Sequence, residues 1–391
     1  MPNSTYSTLD MIRRLVGFDT TSRNSNLALI EFVRDYLAAQ GVPCELTFDD
    51  GGCKANLYAT IGPPDVGGIM LSGHTDVVPV DGQNWQSDPF TADLREGKLY
   101  GRGTADMKSF IGVALALLPQ FLSAGLKVPI HFAFSYDEEV GCIGVRRLIA
   151  QFPEKQFPGK MARPRACIVG EPTLMRPIIG HKGKTALRCH VHGAESHSAL
   201  SHQGVNAVEA AAEVVAYLKG MARRLRRNGP HDPDFTPPYT TVHTGTIHGG
   251  TALNIVPKEC VFDFEFRNLP VDDPQALADE VRNYAETTLL PEMREVAPDT
   301  GFRFEELIRF PGFAIGADAE VTQLALALSG TNSTGKVSFG TEAGLFFEAG
   351  IPTIICGPGS IEQAHRPDEF IALEQIEHCE TFMRRLIGRV S

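Results

Sequence analysis

Residues 67–74 read GGIMLSGH, a short apolar run that ends in a polar side chain. Three further apolar runs are NLYATIG at 56–62, IHFAFSYD at 130–137 and ACIVGE at 166–171, and the last two also end in a polar side chain. Runs of this length, bounded by Gly or polar residues, predict buried strands. Between them, residues 109–125 (SFIGVALALLPQFLSAG) are predicted to form one apolar helix that crosses over a sheet. The β–α–β order predicts an α/β fold, a mostly parallel sheet with helices on both faces.

A second type of organisation begins near residue 183. From there to residue 310 the predicted order of elements is βαββαβ, which is typical of a small two-layer α+β unit of the ferredoxin-like kind. Residues 275–293 are predicted to form a single helix of this unit. We therefore expect a discontinuous larger domain, residues 1–182 and 311–391, with the domain 183–310 inserted into it.

The composition is that of an ordinary globular protein and argues against nucleic-acid binding. Of 391 residues, 43% are hydrophobic and 21% are charged, and the formal net charge is −11. Nucleic-acid-binding proteins more often have a basic face. The eight cysteines form no CxxC pair, no run of 18 apolar residues occurs, and the first 18 residues lack an apolar signal core. We therefore expect a cytoplasmic protein with reduced thiols and no membrane partner.

Seven residues with metal-binding side chains follow the predicted strands or lie in turns marked by Gly or Pro. They are His74, Asp76, Asp106, Glu138, Glu139, Glu171 and His365. Ligand sites of open α/β sheets lie at the carboxyl ends of strands, and imidazole and carboxylate groups suit zinc-class ions. Two histidines and three or four carboxylates at one sheet edge match the ligands of two divalent ions about 3.5–4 Å apart.

Each of these residues taken alone also has a structural explanation. Asp106 precedes a long helix and could be its N-cap, which is a common use of Asp. Glu138 and Glu139 could be a solvated surface pair, and His365 could be a surface residue of a loop rich in Gly and Pro. In the functional interpretation, the two adjacent glutamates point in different directions, so that one binds a metal while the other transfers protons. Only the combination of residues predicts a metal site.

The motifs along the whole chain resemble those of the M20 family of dinuclear zinc peptidases and deacylases. The resemblance is carried by SGHTDVVP, WQSDPF, GRGTADMKS, DEEVGCIG, VGEP, GAESHSALSHQGVNAVEA, GGTALNIVP and FRNLP. It implies a zinc exopeptidase-like fold whose inserted domain serves as a dimerisation domain or lid. It also implies a homodimer formed through that domain.

The resemblance assigns the metal ligands. His74 and Glu171 would bind one ion. Glu139 and His365 would bind the other, and Asp106 would bridge both. The family often has a cis peptide bond after this aspartate. The ions would be zinc, with cobalt as the alternative, because both suit the same ligands and availability often decides.

The resemblance also assigns residues that act on the substrate. Asp76 would orient the first histidine ligand, and Glu138 would be the general base. His197, in the inserted domain, matches the histidine that polarises the scissile carbonyl, often across a dimer interface. Asn254 and Arg267 match residues that meet the substrate carboxylate.

Two segments narrow the expected substrate. SFGTEAGLF and GPGSIEQAHRPDEFI are most like those of family members that remove the acetyl group from N2-acetyl-L-ornithine in arginine biosynthesis. Glu342 in the first segment is a candidate partner of the ornithine ammonium group, or else a glutamate at a helix N-terminus. Alternative substrates are another N-acyl amino acid, such as acetylcitrulline or succinyl-diaminopimelate, and a dipeptide. A non-catalytic binding protein is disfavoured because every candidate ligand and base is present.

Overall fold

The computed structural model describes residues 6–152 and 163–391 and divides the chain into two compact units. The larger unit comprises Met1–Gly180, Phe313–Lys336 and Thr341–Ser391, and the smaller comprises His181–Gly312 and Val337–Gly340. The sequence predicts residues 181–182, 311–312 and 337–340 in the larger domain, whereas these residues cluster with the smaller unit. Backbone Lys182 donates a 3.3 Å hydrogen bond to the carbonyl of Val337, and the Ser338 hydroxyl donates to the carbonyl of Thr236, so the segment is bound to the smaller unit.

The elements occur in the following order. The strands are β1 (Cys44–Phe48), β2 (Ala55–Ile61), β3 (Ile69–His74), β4 (Asp93–Arg95), β5 (Lys98–Tyr100), β6 (Ile130–Ser135), β7 (Ala166–Pro172), β8 (Ile178–His181), β9 (Gly183–His192), β10 (Thr241–Gly249), β11 (Glu259–Asn268), β12 (Gly301–Phe310), β13 (Phe313–Ala314), β14 (Gly335–Val337), β15 (Thr353–Gly357) and β16 (Phe370–Ala372). The helices are α1 (Thr8–Val16), α2 (Leu27–Ala39), α3 (Lys108–Ala116), α4 (Leu118–Ser123), α5 (Gly144–Ile149), α6 (Ala207–Asn228), α7 (Pro274–Tyr284), α8 (Leu290–Val296), α9 (Glu320–Ser329), α10 (Ala343–Glu348) and α11 (Leu373–Val390).

The larger unit is built on a sheet with a parallel centre, as the sequence predicts. The strand order is β1-β2-β6-β3-β7-β15-β8-β13, with β14 beside β8. β3 is parallel to β6 and β7, and β7 is parallel to β15, whereas β1, β2 and β8 pair antiparallel. The strands β3, β6 and β7 are buried along their whole length, which explains their continuous apolar sequences. The carboxyl ends of four parallel strands therefore meet at one edge.

Helix α3 lies close against this sheet because two glycines leave room for it. A Cβ at Gly170 would lie 2.0 Å from the ring of Phe110, and one at Gly73 would lie 2.9 Å from the methyl group of Met107. Side chains at either strand position would push the helix away. The start of α3, and Asp106 just before it, are thereby held beside the ends of β3 and β7.

One of two predicted helices is divided in the structure, and the other contains a π-helical segment. The predicted helix 109–125 is broken at Leu117 between α3 and α4, and Pro119 lies in the first turn of α4. The predicted helix 275–293 runs through α7, a π-helical segment and α8 with helical backbone angles at the junctions, and Pro291 lies in the first turn of α8. Proline lacks an N–H donor and clashes with the preceding turn, so it interrupts regular α-helical hydrogen bonding. Both prolines are visible in the sequence, so both irregularities were predictable.

The smaller unit has the predicted βαββαβ order around an antiparallel sheet, β10-β11-β9-β12. Side chains of β9 and β11 alternate between buried and partly exposed, so one face of the sheet packs on an apolar core with α6 and α7. The opposite face carries charged residues. Strand β10 is an edge strand with mostly exposed side chains. In the described part of the chain, no helix combines the length and apolarity needed to cross a bilayer.

Candidate metal centre

The seven metal-type residues named from the sequence converge in the larger unit. His74 ends β3, and Glu171 is the penultimate residue of β7. Glu138 and Glu139 follow β6. His365 is in the loop after β15 and has a positive φ of 64°. Parallel pairing brings these strand ends together, although the residues are spread over most of the chain.

The first half of the centre is organised around His74, which is 1% exposed. Its Nδ1 lies 2.9 Å from the backbone carbonyl of Asp76, and because a carbonyl only accepts hydrogen bonds, Nδ1 carries a proton. Its Nε2 lies 2.9 Å from Oδ1 of Asp106 and 3.7 Å from Oε1 of Glu171. The nitrogen that can bind a metal therefore faces two carboxylates.

The second half of the centre is organised around His365, whose side chain is about half exposed. Its Nε2 lies 3.3 Å from Oδ2 of Asp106 and 3.1 Å from Oε2 of Glu139. The two oxygens of Asp106 thus face two different imidazoles, one on each side. A carboxylate placed in this way can bridge two cations.

Asp106 is therefore a bridge between histidines and not a helix cap. The N-cap residue of α3 is Met107, and its side chain makes no cap hydrogen bond. The peptide bond between Asp106 and Met107 is cis, as the family resemblance implies.

Asp76 contacts the centre in two ways. Its carbonyl holds the ring of His74, while its carboxylate Oδ1 is 3.6 Å from Nδ1 of the same ring. The carboxylate accepts hydrogen bonds from the Ser22 hydroxyl (2.7 Å) and from the backbone N–H groups of Glu138 (3.1 Å) and Glu139 (3.3 Å). It therefore fixes the turn that carries the two glutamates, in addition to the histidine.

Burial of so many carboxylates in one place changes their proton affinities. Burial raises the pKa of Glu138 and of Glu171 well above the usual value, and repulsion by Asp106 adds to this. Burial and the charge of Asp106 raise the pKa of Glu139 to about 7. Hydrogen bonds to Asp106 and Glu139 raise the pKa of His365 to about 10. Carboxyl groups outnumber imidazoles in this cluster, so bound cations would compensate the charge of the carboxylates that form as protons leave.

The donor set fits divalent metal ions. The ligand atoms of His74, Asp106 and Glu139 lie within 4.8 Å of one another, and so do those of His74, Glu138 and Glu171. These two groups share one histidine, and the donors are imidazole nitrogens and carboxylate oxygens, which suit zinc-class ions. Glu138 belongs to one of the groups, so its carboxylate is near enough to act on a molecule held at the centre.

Three further residues predicted to act on the substrate lie in the smaller unit. The backbone N–H of Ser198 donates to the carbonyl of Asn254 (3.1 Å), so His197 and Asn254 lie in adjacent segments. Nδ1 of His197 accepts a 3.0 Å hydrogen bond from the N–H of Ala199, and the side chain is exposed. The guanidinium of Arg267 pairs with Glu265 at 3.0 Å.

Glu342 lies at the N-terminus of α10, which is the second of the two interpretations that the sequence offers. It is the N-cap residue but makes no side-chain cap hydrogen bond, and it is 1% exposed. Burial raises its pKa to about 7. The segment GTEAG contains no local signal of this burial, and contact with a substrate ammonium group stays a prediction.

Sequence reasoning missed four residues that support the centre. They are Ser22, Arg102, Cys142 and Glu369. Cys142 donates a 3.4 Å hydrogen bond from its thiol to Oε1 of Glu138. Three of the four lie inside motifs already quoted, so proximity to a ligand in the sequence was an available signal. Their partners were not predictable, because most of them lie far away along the chain.

Comparison with known proteins is consistent with this geometry. The family model of peptidase family M20/M25/M40 matches residues 70–389. The chain is 34% identical over 386 residues to the acetylornithine deacetylase of Pasteurella multocida (strain Pm70), covering 98% of this chain and 96% of the relative. The fold is similar to that of an M20 family metallo-carboxypeptidase from Sulfolobus solfataricus, with a TM-score of 0.77 at 16% identity over 98% of each chain.

A second solved structure is that of a metal-binding relative. It is a dinuclear metal-binding peptidase of the M20 family from Bacillus subtilis, to which this fold is similar with a TM-score of 0.65 at 16% identity, covering 98% of this chain and 97% of that one. The profile match spans most of the chain, and the sequence similarity to the Pasteurella protein spans nearly all of it. The chain therefore belongs to peptidase family M20/M25/M40.

Proposed function

We propose that this protein is a dinuclear metal-dependent amide hydrolase that converts N2-acetyl-L-ornithine into L-ornithine and acetate. The observation that carries the metal dependence is the placement of Asp106 between two imidazoles, with further carboxylates beside each. The substrate is supported by relatives named acetylornithine deacetylase, two of which are 34% identical to this chain over 386 residues. Formation of L-ornithine would place the reaction in arginine biosynthesis.

The proposed ligands are those expected from the sequence. His74 and Glu171 would hold one ion, Glu139 and His365 would hold the other, and Asp106 would contact both. When bound, two divalent ions supply Lewis acidity, which polarises an amide carbonyl and lowers the pKa of a water molecule. Zinc is the proposed metal, and cobalt is the alternative.

Glu138 is the proposed general base. Its buried carboxylate has a raised pKa and therefore a high affinity for a proton, which suits a group that must accept one near neutral pH. It takes a proton from the attacking water and then donates it to the departing amine. The thiol of Cys142 contacts Oε1 of this carboxylate and restricts its orientation.

His197 is the proposed donor to the substrate carbonyl. Because Nδ1 accepts the N–H of Ala199, the neutral ring carries its proton on Nε2, which is the outer nitrogen. An Nε2–H group can donate to the oxygen that becomes negative during attack, an interaction typically worth several kcal/mol. Asn254 lies in the adjacent segment and keeps its proposed contact with the substrate carboxylate, together with Arg267.

A substrate panel tests the proposal. Hydrolysis of N2-acetyl-L-ornithine, acetylcitrulline, succinyl-diaminopimelate and a dipeptide should be compared by kcat/KM with zinc and with cobalt. We expect acetylornithine to be the best substrate. A higher kcat/KM for another member of the panel would make that compound the proposed substrate, while the proposed metal-dependent amide hydrolysis would stand. No hydrolysis of any of them by the metal-loaded protein would contradict the proposal and favour a binding protein.

Two further expectations belong to this proposal. We propose a homodimer formed through the inserted unit, supported by the exposed edge strand β10, because an edge strand offers unpaired backbone groups to a second chain. The chain mass is 42.5 kDa, and light scattering should give twice that mass. A monomer would contradict the proposed homodimer. We also keep the expectation of a cytoplasmic location.

A further inference from the structure

A buried carboxylate outside the proposed ligand set binds the backbone of the bridging aspartate. Glu369 is 1% exposed and lies four residues after His365. Its Oε1 accepts hydrogen bonds from the backbone N–H groups of Ala105 (2.8 Å) and Asp106 (3.0 Å). The two amides that precede the carboxylate bridge are therefore held by a residue from the loop of the second histidine.

The other oxygen of Glu369 is held by an arginine that is equally buried. NH1 of Arg102 lies 2.6 Å from Oε2 of Glu369, and both side chains are 1% exposed. NH2 of Arg102 donates to Oε1 of Gln83 (2.7 Å), and the guanidinium lies 5.1 Å from the ring centre of Trp85. A guanidinium held at several points in this way has one orientation, which fixes the glutamate in turn.

The same network reaches the loop of His365 through three further contacts. Nε2 of Gln83 donates to the backbone carbonyl of His365 (2.9 Å). NH1 of Arg102 also approaches the carbonyl of Arg366 (3.4 Å), and the carbonyl of Glu369 accepts from the N–H of Gly101 (2.9 Å). The segments that carry the bridge and the second histidine are thus joined without any metal contact.

A role in stability alone explains this pair poorly. A buried ion pair can often be replaced by apolar residues of similar volume with no loss of stability, because both charges must be desolvated. Glu369 also adds a negative charge beside Asp106, where carboxylates already repel one another. What the pair provides is a fixed relative position of two segments that approach the same centre.

We propose that Glu369, fixed by Arg102, is a positioning residue that sets the distance between the bridging carboxylate of Asp106 and the ligand loop of His365. The inference rests on the proposed metal dependence and is independent of the substrate. Loss of this contact should lower the affinity for both ions, because Asp106 faces both histidines. The affinity for the ion at His365 should fall more, because the loop of His365 is also released.

The test uses the double variant Arg102→Met/Glu369→Met. It leaves no buried charge unpaired and nearly conserves side-chain volume, but it removes the acceptor of the two amides. Metal-free full-length protein is titrated with Zn²⁺, the bound metal is counted by elemental analysis, and the melting temperature of the metal-free form is measured separately. The matched control is Arg188→Met/Asp263→Asn, which removes an arginine–aspartate pair in the smaller unit, with two 2.8 Å contacts.

We expect two ions in the wild type and in the control. In the Arg102/Glu369 double variant we expect the weaker ion to lose about 10- to 100-fold in affinity, a typical result of removing an outer partner of a metal ligand. With acetylornithine, kcat at fixed zinc should fall while KM changes little. A purely structural role would lower the melting temperature of the metal-free protein and leave both affinities of the folded protein unchanged, which would overturn the proposal.

A second variant covers the case in which the double variant does not fold. Glu369→Gln keeps one acceptor oxygen and loses the charge that pairs with Arg102, so we expect a smaller loss of affinity in the same direction. Unchanged affinity for both ions in this folded variant would overturn the proposal. If the wild type itself bound fewer than two ions, the proposed function would fail together with this inference, whereas failure of the variants alone affects only the role of Glu369.

Discussion

The two units contain clusters of the same residue types in opposite electrostatic surroundings. In the larger unit, carboxylates crowd around one buried and one half-exposed histidine, and burial raises the pKa of Glu139 to about 7. On the charged face of the smaller sheet, the Arg188 guanidinium lowers the pKa of Asp263 through two 2.8 Å hydrogen bonds. Hydrogen bonds from His190 and Arg303 lower the pKa of Glu305 in the same way.

The difference shows what distinguishes a metal centre from a polar surface. On the smaller sheet, carboxylates have cationic side chains of their own within contact distance and remain partly exposed to water. In the larger unit, carboxyl groups outnumber the cationic side chains, and His74, Asp76, Asp106 and Glu171 are buried. A partly buried excess of carboxyl groups favours external cations, whereas a neutralised and solvated face does not.

The largest expected effect is on kcat, and only the cluster in the larger unit should show it. Glu138→Gln should lower kcat about 10²- to 10⁴-fold, because an amide cannot accept the proton, while both ions stay bound. Glu305→Gln changes the same functional group on the smaller sheet and should leave kcat unchanged. Initial rates with acetylornithine and metal counting check both. A near-normal kcat for Glu138→Gln would remove it from the role of base.

The next effect concerns the exposed histidine of the smaller unit. His197→Ala should lower kcat about 10²- to 10³-fold, since a donor to the developing oxyanion is lost. His197→Gln should recover part of the rate, because its side-chain N–H can donate. The metal content should not change in either variant. His190→Gln is the control from the same unit, and an effect on kcat as large as that of His197→Ala would contradict the assignment.

A smaller effect is the pH dependence of stability, which should have opposite signs in the two units. The pKa of Glu342 is raised by burial from 4.5 to about 7, so the folded state holds a proton that the unfolded state has lost. Stability from this group is present below pH 4.5 and is lost as pH rises towards 7, by about 3 kcal/mol in total. Glu342→Gln should remove this loss.

Denaturant unfolding at several pH values measures this effect. The free energy of unfolding of Glu342→Gln relative to wild type should increase from pH 4.5 to pH 8. The same difference at both ends of that range would show that the carboxyl group is not held protonated by the fold.

The smallest expected effect is that of Asp263→Asn. Its pKa is lowered by Arg188, so it stabilises the folded state above the usual pKa of 3.8, and this stability is lost as pH falls through the lowered value. Because both side chains are partly exposed, we expect a loss of at most about 1 kcal/mol at pH 7 and an unchanged metal content. A loss of several kcal/mol would mean that this pair resembles the buried cluster after all.

Much of the fold and of the centre could be predicted from local sequence. Apolar runs that end in His74 or Glu171 identify central strands. The imidazole and carboxylate groups at the ends of such runs indicate a metal site at that edge of the sheet. The sequence pattern also predicts the βαββαβ order of the inserted unit, and the family resemblance assigns the cis bond after Asp106. These features depend on short stretches of chain.

The remaining features depend on contacts between distant segments. The bond between Glu369 and the amide of Asp106 joins residues 263 positions apart, and no local pattern indicates it. The burial of Glu342 likewise results from tertiary packing. The antiparallel margins of the sheet and the membership of residues 337–340 in the smaller unit are set by pairing partners, which periodicity cannot identify. The helix break before Pro119 and the π-helical segment before Pro291 are different, because their cause is local.

The central claim is that the buried cluster binds two cations, with Asp106 between them. Titration of metal-free protein with Zn²⁺ by calorimetry, with elemental analysis of the product, tests it most directly. We expect two ions per chain and release of protons on binding, since groups such as His365 with a raised pKa must lose theirs. Asp106→Asn should lower the affinity for both ions. Binding of one ion or none, or two ions with wild-type affinity in Asp106→Asn, would contradict the account.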